Sequence, residues 1–280
     1  HMSIDNWEKL LDGISHHPIK EAKLMGMGEP MLHPQFDEIC KMFKETFPES
    51  KVIVATNCQY KIKEGSNFRK KFQNALKYID VLYLSIDGYK EHYERDRAPA
   101  KWDILMNFLN DFKTIDRHNC EFPINYVVNA YNVDDIPKIE SFVDKYNLDG
   151  IRLNIAQIWD ENTSMSDDIA TSGYSNDQLE YLKTNYRDKI MGKSEWDFDD
   201  CFWVKNGLYT TVEGNVKVCC MNTGAKSLGN LFVNSIDDIH KSENYSEIAE
   251  GCKNKKPTEH CKNCSYKELV PILSHLGVNN

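Results

Sequence analysis

The chain has 280 residues, 41% hydrophobic and 28% charged, with a net charge of -9. That is enough for one large domain and a small one. The acidic balance excludes a broad nucleic-acid surface, no apolar run reaches membrane-spanning length, and nine cysteines are too sparse for a disulfide scaffold. An odd cysteine count in a long chain suits a reducing compartment, so a cytoplasmic location is expected, with no nucleic-acid or membrane partner. The opening His1-Met2 reads as a remnant of cloning, and no secretory signal follows it.

The first periodic segment, 6–13, sets Trp7, Leu10, Leu11 and Ile14 at helical spacing. Apolar runs then recur at 22–27, 52–56, 81–86, 124–128 and 151–155. None alternates cleanly, so strands buried on both faces of a parallel sheet are expected. Helical stripes lie between them: Phe36, Ile39, Cys40, Phe43 and Phe47; then Trp102, Leu105, Met106, Leu109 and Phe112; then Ile136, Ile139, Phe142, Val143 and Tyr146. Strand and helix in alternation predict βα units with right-handed crossovers, most economically a (β/α) barrel or an arc of one. The basic clusters Arg69-Lys70-Lys71 and 253–256 read as solvated faces.

Residues 161–176 are rich in Ser, Thr, Asp and Asn and read as a loop, with a helix over 177–189. Beyond Trp196 the pattern turns to short strands, a Val-Glu-Gly-Asn turn and cysteines. A boundary near Gly192 divides the chain into 3–192 and 193–280.

Gly26-Met27-Gly28-Glu29-Pro30 ends the first apolar run. A Gly-x-Gly lets a ligand approach the backbone closely, and loops at the carboxyl ends of barrel strands build active sites. Glu29 suits an ammonium group; the plain alternative is a tight turn closed by proline. Asp160, past the fifth run, offers a carboxylate able to move a proton, with Trp159 and Tyr131 as pocket walls. An exposed loop acid is its plain alternative.

Six of the nine cysteines fall in the last eighty residues: Cys201, Cys219, Cys220, Cys252, Cys261 and Cys264. A cysteine, seventeen residues, a Cys-Cys pair and a later C-x-x-C form a soft ligand set, suited to zinc or to an iron–sulfur cluster. By spacing alone the two stand level. Consecutive strand residues point to opposite faces, so only one of Cys219 and Cys220 can face such a cage. Cys40, Cys58 and Cys120 stand alone in sequence.

Taken in order, GMGEPMLHP, ATNCQ at 55–59, LSIDGYKEHYERDR, VVNAYNVDDI and LGNLF with its flanking cysteines resemble the successive motifs of the radical S-adenosylmethionine (radical SAM) superfamily. The last of them resembles its SPASM or twitch extension. In ATNCQ, Cys58 stands where that family usually has glycine. The resemblance implies a partial (β/α)6 TIM-like barrel lacking its first strand, plus a small cysteine-rich α+β domain. It implies that Gly28 and Glu29, followed by Pro30, hold the amino group of SAM. Ser85 and Arg97 would approach its carboxylate, Arg97 through a bidentate pair, with Arg95 as competitor. Asn129 would lie near the ribose, and the strand carrying Asn154 would flank the adenine. The plain alternatives are strand-end hydrogen bonds for Ser85 and Asn129, and an ion pair with Asp96 or Glu94 for Arg97. Cys201, Cys219, Cys261 and Cys264 would hold an auxiliary [4Fe-4S] cluster, leaving Cys220 as a small buried hydrophobe and Cys252 in a lysine-rich loop.

One departure stands out. The family's C-x3-C-x2-C, expected just before Ser3, is not in the sequence. Either an N-terminal segment was removed, which the cloning remnant favours, or the catalytic [4Fe-4S] cluster was lost. The chain as it stands is therefore expected not to cleave SAM. The full-length protein is expected to be an oxidoreductase or maturase. It would generate a 5′-deoxyadenosyl radical to abstract hydrogen from a peptide or small molecule, fed by a donor such as flavodoxin or ferredoxin. A non-catalytic iron–sulfur or SAM-binding module, and a zinc-stabilised barrel protein, remain the alternatives.

Overall fold

The structure, a computed structural model, describes residues 1–157, 173–221, 226–262 and 264–278. It opens with helix α1 (Ile4–Ile14), where the Ser3 hydroxyl accepts the Asn6 N–H as an N-cap and Trp7, Leu10, Leu11 and Ile14 form the buried stripe. Strand β1 (Glu21–Lys23) is shorter than its apolar run. Leu24 still donates to Ile53, after which Gly26-Met27-Gly28 turns the backbone away, Gly28 at φ +107°. The other four runs become β2 (Lys51–Thr56), β3 (Val81–Ser85), β4 (Ile124–Val128) and β5 (Ile151–Ile155).

All five strands pair in parallel in chain order, forming a curled half-barrel. Its helices are α2 (Phe36–Thr46), α3 (Asn67–Leu76), α4 (Glu91–Asp96), α5 (Trp102–Phe112), α6 (Ile136–Tyr146) and α7 (Asn176–Tyr186). An aromatic layer ties helices to sheet: Phe72 and Phe108 meet edge to face with centroids 6.4 Å apart, and Phe112 lies 4.6 Å from Phe122.

Two expectations need correction. The strands are not all buried on both faces: in β4 and β5, Ile124, Tyr126, Val128, Ile151, Leu153 and Ile155 are buried, while Asn125, Val127, Arg152 and Asn154 are half-buried. One face of these two strands is less covered than the other, so they keep the period of two. Nor does Arg69 belong to a solvated face, although Lys70 beside it is exposed. Arg69 shares the inward face of α3 with Phe72 and Leu76, and its guanidinium donates to the carbonyls of Ile62, Asp111 and Thr114. Those last two carbonyls lie at the end of α5, where a cation is favoured.

The described residues form two compact units, one of Ile19–Ala156 with 173–191, the other of 1–18 with Gln157 and 192–278. α1 thus belongs with the C-terminal residues: Gly13 lies against Leu231, and His17 stands 3.5 Å from Asp237. This unit holds a small antiparallel sheet, β6 (Tyr209–Thr210), β7 (Asn215–Lys217) and β8 (Gly229–Asn230). Around it run α8 (Phe202–Asn206), α9 (Ile236–His240), α10 (Glu243–Lys253), α11 (Glu259–Lys262) and α12 (Ser265–Leu276). No helix among the described residues is long and apolar enough to cross a membrane.

Candidate functional site

The carboxyl ends of the parallel strands build a rim. Gly26 and Gly28 are exposed, and a Cβ added at either would meet nothing within 4 Å, so the space over this backbone is open. Gly28 also needs its positive φ, which residues with a Cβ resist. Glu29 caps the 3-10 turn Pro30–Leu32, which Pro30 opens. One carboxylate oxygen accepts the Met31 N–H at 3.0 Å and the other the Asn57 N–H, just past β2, at 2.7 Å. The side chain therefore straps the turn after β1 to the end of β2. Burial raises its pKa above the ordinary 4.5, outweighing these bonds, the Thr56 hydroxyl and the charge of Arg97.

At the end of β2 the Thr56 and Tyr60 hydroxyls meet at 2.6 Å, and Cys58 follows, buried, at φ +59°. That left-handed conformation costs a residue with a Cβ about 1–2 kcal/mol, and it explains why a glycine suits this place. Burial drives the Cys58 thiol well above its ordinary pKa, with the Glu29 charge adding to it, so the group is a neutral packing side chain. Cys58→Val should destabilise the fold by about 2 kcal/mol or more, since a β-branched residue resists positive φ. Cys58→Gly should stay within about 1 kcal/mol of the parent, trading strain relief against a small void. Urea unfolding midpoints of the two variants check this; equal losses would contradict it.

Arg97, the C-cap of α4, places Nη1 2.5 Å from Asp87 Oδ2, and the other Asp87 oxygen accepts the Val127 N–H at 2.7 Å. Its partner is therefore Asp87, two residues past Ser85, and not Asp96 or Glu94. Ser85 itself is buried at the end of β3. Arg95 pairs with Asp96 at 2.6 Å and lies over the Tyr131 ring. The second Asp96 oxygen takes the side-chain amides of Asn129 and Asn132 at 2.8 and 3.1 Å. The Asn129 carbonyl oxygen accepts the N–H groups of Tyr131 and Asn132, so the buried side chain builds the turn after β4.

The half-buried face of β4 and β5 adds polar groups that motif reading missed. Asn154 donates to Asn125 across the strands at 2.8 Å, and Arg152 hydrogen-bonds the Tyr83 hydroxyl while lying over its ring at 5.2 Å. Their signal was present in Ile151–Ile155, where Arg152 and Asn154 fall at every second place, and in the single Asn125 of Ile124–Val128. Asp160 and Trp159 lie outside the described residues.

In the C-terminal unit Cys201 and Cys264 precede the first turns of α8 and α12. Burial raises the pKa of both thiols, against N–H bonds from Val204 and Trp203 on Cys201 and from Tyr266 and Lys267 on Cys264. Each also feels Cys261, which lies on α11. Cys252 ends α10 and is buried, unlike the expected loop cysteine, because it stands one turn beyond Ile248 on the inward face. Its thiol hydrogen-bonds Cys261 and senses Cys201 and Cys264. Cys219 and Cys220 follow β7 and are half-buried, with Cys220 acting electrostatically on Tyr209. Among the described residues no group of three or more His, Cys, Asp or Glu side chains is set to hold a single metal ion. The shared feature is an all-sulfur donor set, which suits soft metals.

Residues 201–265 match the family model of the SPASM iron–sulfur cluster-binding domain. Solved structures share the fold across nearly the whole chain. SuiB of Streptococcus suis bound to precursor peptide SuiA is 16% identical with a TM-score of 0.67, over 94% of this chain and 62% of SuiB. The anSMEcpe structure with bound AdoMet and Cp18Cys peptide is 16% identical with a TM-score of 0.59, over 96% of this chain and 80% of that one. BtrN in complex with AdoMet and 2-DOIA is 15% identical with a TM-score of 0.52, over 94% and 80%. The chain thus spans less than two thirds of SuiB, and at these identities the likeness is one of fold. No curated protein matches the chain in sequence.

Proposed function

We propose that this chain, with the half-barrel of the radical SAM enzymes and a SPASM domain at 201–265, binds S-adenosylmethionine at its rim and an auxiliary iron–sulfur cluster in its C-terminal unit. The carrying observation is that a cluster-binding domain follows, in one chain, a half-barrel whose first turn is open above Gly26 and Gly28. At the rim Glu29 would take the ligand's ammonium group beside the exposed Gly28 backbone, with Pro30 fixing the turn. Arg97 would take the carboxylate with the part of its guanidinium turned from Asp87, beside Ser85. Asn129 would meet the ribose side through a turn its own side chain has fixed, and Asn154 would flank the adenine.

The auxiliary cluster would be held by Cys201, Cys261 and Cys264 with a fourth sulfur, for which the spacing offers Cys219. The donor set fits such a group, being sulfur throughout and partly shielded from water. In a whole protein that also carries a catalytic [4Fe-4S] cluster to supply the electron, the chemistry would be reductive cleavage of SAM to a 5′-deoxyadenosyl radical that takes hydrogen from the substrate. The three-cysteine loop for a catalytic cluster is not among these 280 residues, so this chain alone should release no 5′-deoxyadenosine from SAM. For the whole protein the electron donor would be a flavodoxin or ferredoxin. The substrate would be a peptide or small polar molecule. Peptides are bound in the SuiB and anSMEcpe structures, and Tyr83, Asn125, Arg152 and Asn154 offer donors and acceptors for amide groups.

Calorimetric titration with SAM tests the rim. Affinity should weaken on acidification at a pH above the ordinary glutamate value of 4.5, because protonating Glu29 removes its attraction for an ammonium group. Glu29→Gln should bind weakly at every pH and lose this dependence. Undiminished binding by Glu29→Gln would contradict the assignment.

A further inference from the structure

Of the six arginines, Arg95, Arg97, Arg117 and Arg187 each pair with an aspartate, and Arg69 donates to carbonyls at the end of α5. Arg152 does neither. On the half-buried face of β5 its Nη1 donates to the Tyr83 hydroxyl, and the guanidinium lies over that ring. Among the described residues no carboxylate pairs with it, and its Nε and Nη2 meet no acceptor. Glu21 and Glu121 reach Tyr83 electrostatically, but Glu21 already pairs with Lys23 at 3.7 Å. A guanidinium does not shed its charge, and a neutral hydroxyl with a ring face offsets the loss of water less well than a carboxylate does. The Nε–Nη2 edge is the fork that takes both oxygens of a carboxylate.

The neighbouring strand supplies a second set of groups. In the parallel register Asn125 stands beside Arg152, and Ser85 beside Asn125, so the three share one face of the sheet. Asn154 lies on the same face, two residues nearer the rim. Its amide donates to Asn125 Oδ1 at 2.8 Å, which leaves the Asn125 amino group and the Asn154 carbonyl for the amide of a ligand.

We infer that this face selects a peptide bearing a carboxylate, gripped by the Nε–Nη2 edge of Arg152, while the Asn125–Asn154 pair takes an amide group beside it. This rests on the reading of the half-barrel as the substrate site and names the class of substrate it takes.

The test titrates the 280-residue chain calorimetrically, with SAM added first so that Arg97 is occupied. The neutral probe is acetyl-Gly-Gln-Gly-amide. One charged probe carries glutamate in place of glutamine, and the other ends in a C-terminal carboxylate instead of the amide. At least one charged probe should bind about tenfold or more tightly than the neutral one, the gain expected of a charged fork. The tighter of the two identifies the source as an acidic side chain or a chain terminus. At a net charge of -9 the chain has no general attraction for anions that would give such a preference. Arg152→Gln should bring the charged probes to the affinity of the neutral one. Arg152→Lys, which keeps a cation beside Tyr83 without the fork, should retain a preference reduced severalfold. Equal binding of all three probes by the parent, or a preference that survives in Arg152→Gln, overturns the inference. If Arg152→Gln fails to fold, an undiminished preference in Arg152→Lys overturns it instead. A parent that binds SAM yet shows no preference overturns the inference and leaves the rim assignment standing. A parent that shows the Arg152-dependent preference without binding SAM overturns the rim assignment and supports the inference.

Discussion

Arg97→Ala should cost the half-barrel about 3–5 kcal/mol and remove most of its affinity for SAM. Asp87 is 4% exposed, and the Arg97 guanidinium is its charged partner at 2.5 Å. Burial works against the Arg97 charge, but Asp87 more than compensates, and the guanidinium pKa lies above its ordinary value. Removing the arginine leaves a buried carboxylate whose remaining hydrogen bond is the Val127 N–H. Arg95→Ala should cost about 1 kcal/mol, because Arg95 is part-exposed and Asp96 keeps the amides of Asn129 and Asn132. Arg97→Lys separates structure from binding. It keeps a cation for Asp87 and should recover most of the stability, but it lacks the fork that grips a carboxylate in two places. Urea unfolding and calorimetry on the three variants read both effects. Equal losses of SAM affinity in Arg95→Ala and Arg97→Ala would place the carboxylate site elsewhere.

Cys261→Ala should abolish the visible iron–sulfur absorbance of reconstituted protein and loosen the C-terminal unit. Cys261 is the thiol that Cys201, Cys252 and Cys264 all sense. The unit's own sheet has strands of only two or three residues, too short to hold a stable core unaided. Metal binding there should therefore be coupled to folding. Proteolytic nicking within 192–278 should rise roughly tenfold or more, the change expected for each 1.4 kcal/mol of local stability lost. Cys40→Ala, buried on the inward face of α2 in the other unit, should leave the absorbance intact. Retained absorbance in Cys261→Ala would contradict the cage.

Much of the half-barrel was legible because β2 and β3 are nearly unbroken apolar runs, β4 and β5 keep apolar residues at their first, third and fifth places, and the helices carry full stripes. What escaped was lateral. Asp87 meets Arg97 because β3 and α4 bring them together, and nothing local in DGYKEHYERDR prefers that pair to a nearer acid. Arg69 looked like part of a basic cluster, although its spacing to Phe72 and Leu76 already put it on the buried face. Cys252 misled in the same way: the lysines around it suggested a loop, while its distance from Ile248 is one helical turn. The polar residues of β4 and β5 were passed over because strands buried on both faces were expected, whereas one face of each is only half-buried.

The most direct measurement is the metal and sulfide content of the chain after anaerobic reconstitution with iron, zinc and sulfide offered together. The predicted result is about four iron and four inorganic sulfide per chain, with broad visible absorbance that reductant bleaches. Stoichiometric zinc with neither sulfide nor colour would contradict it, and would make the C-terminal cysteines a structural zinc site instead.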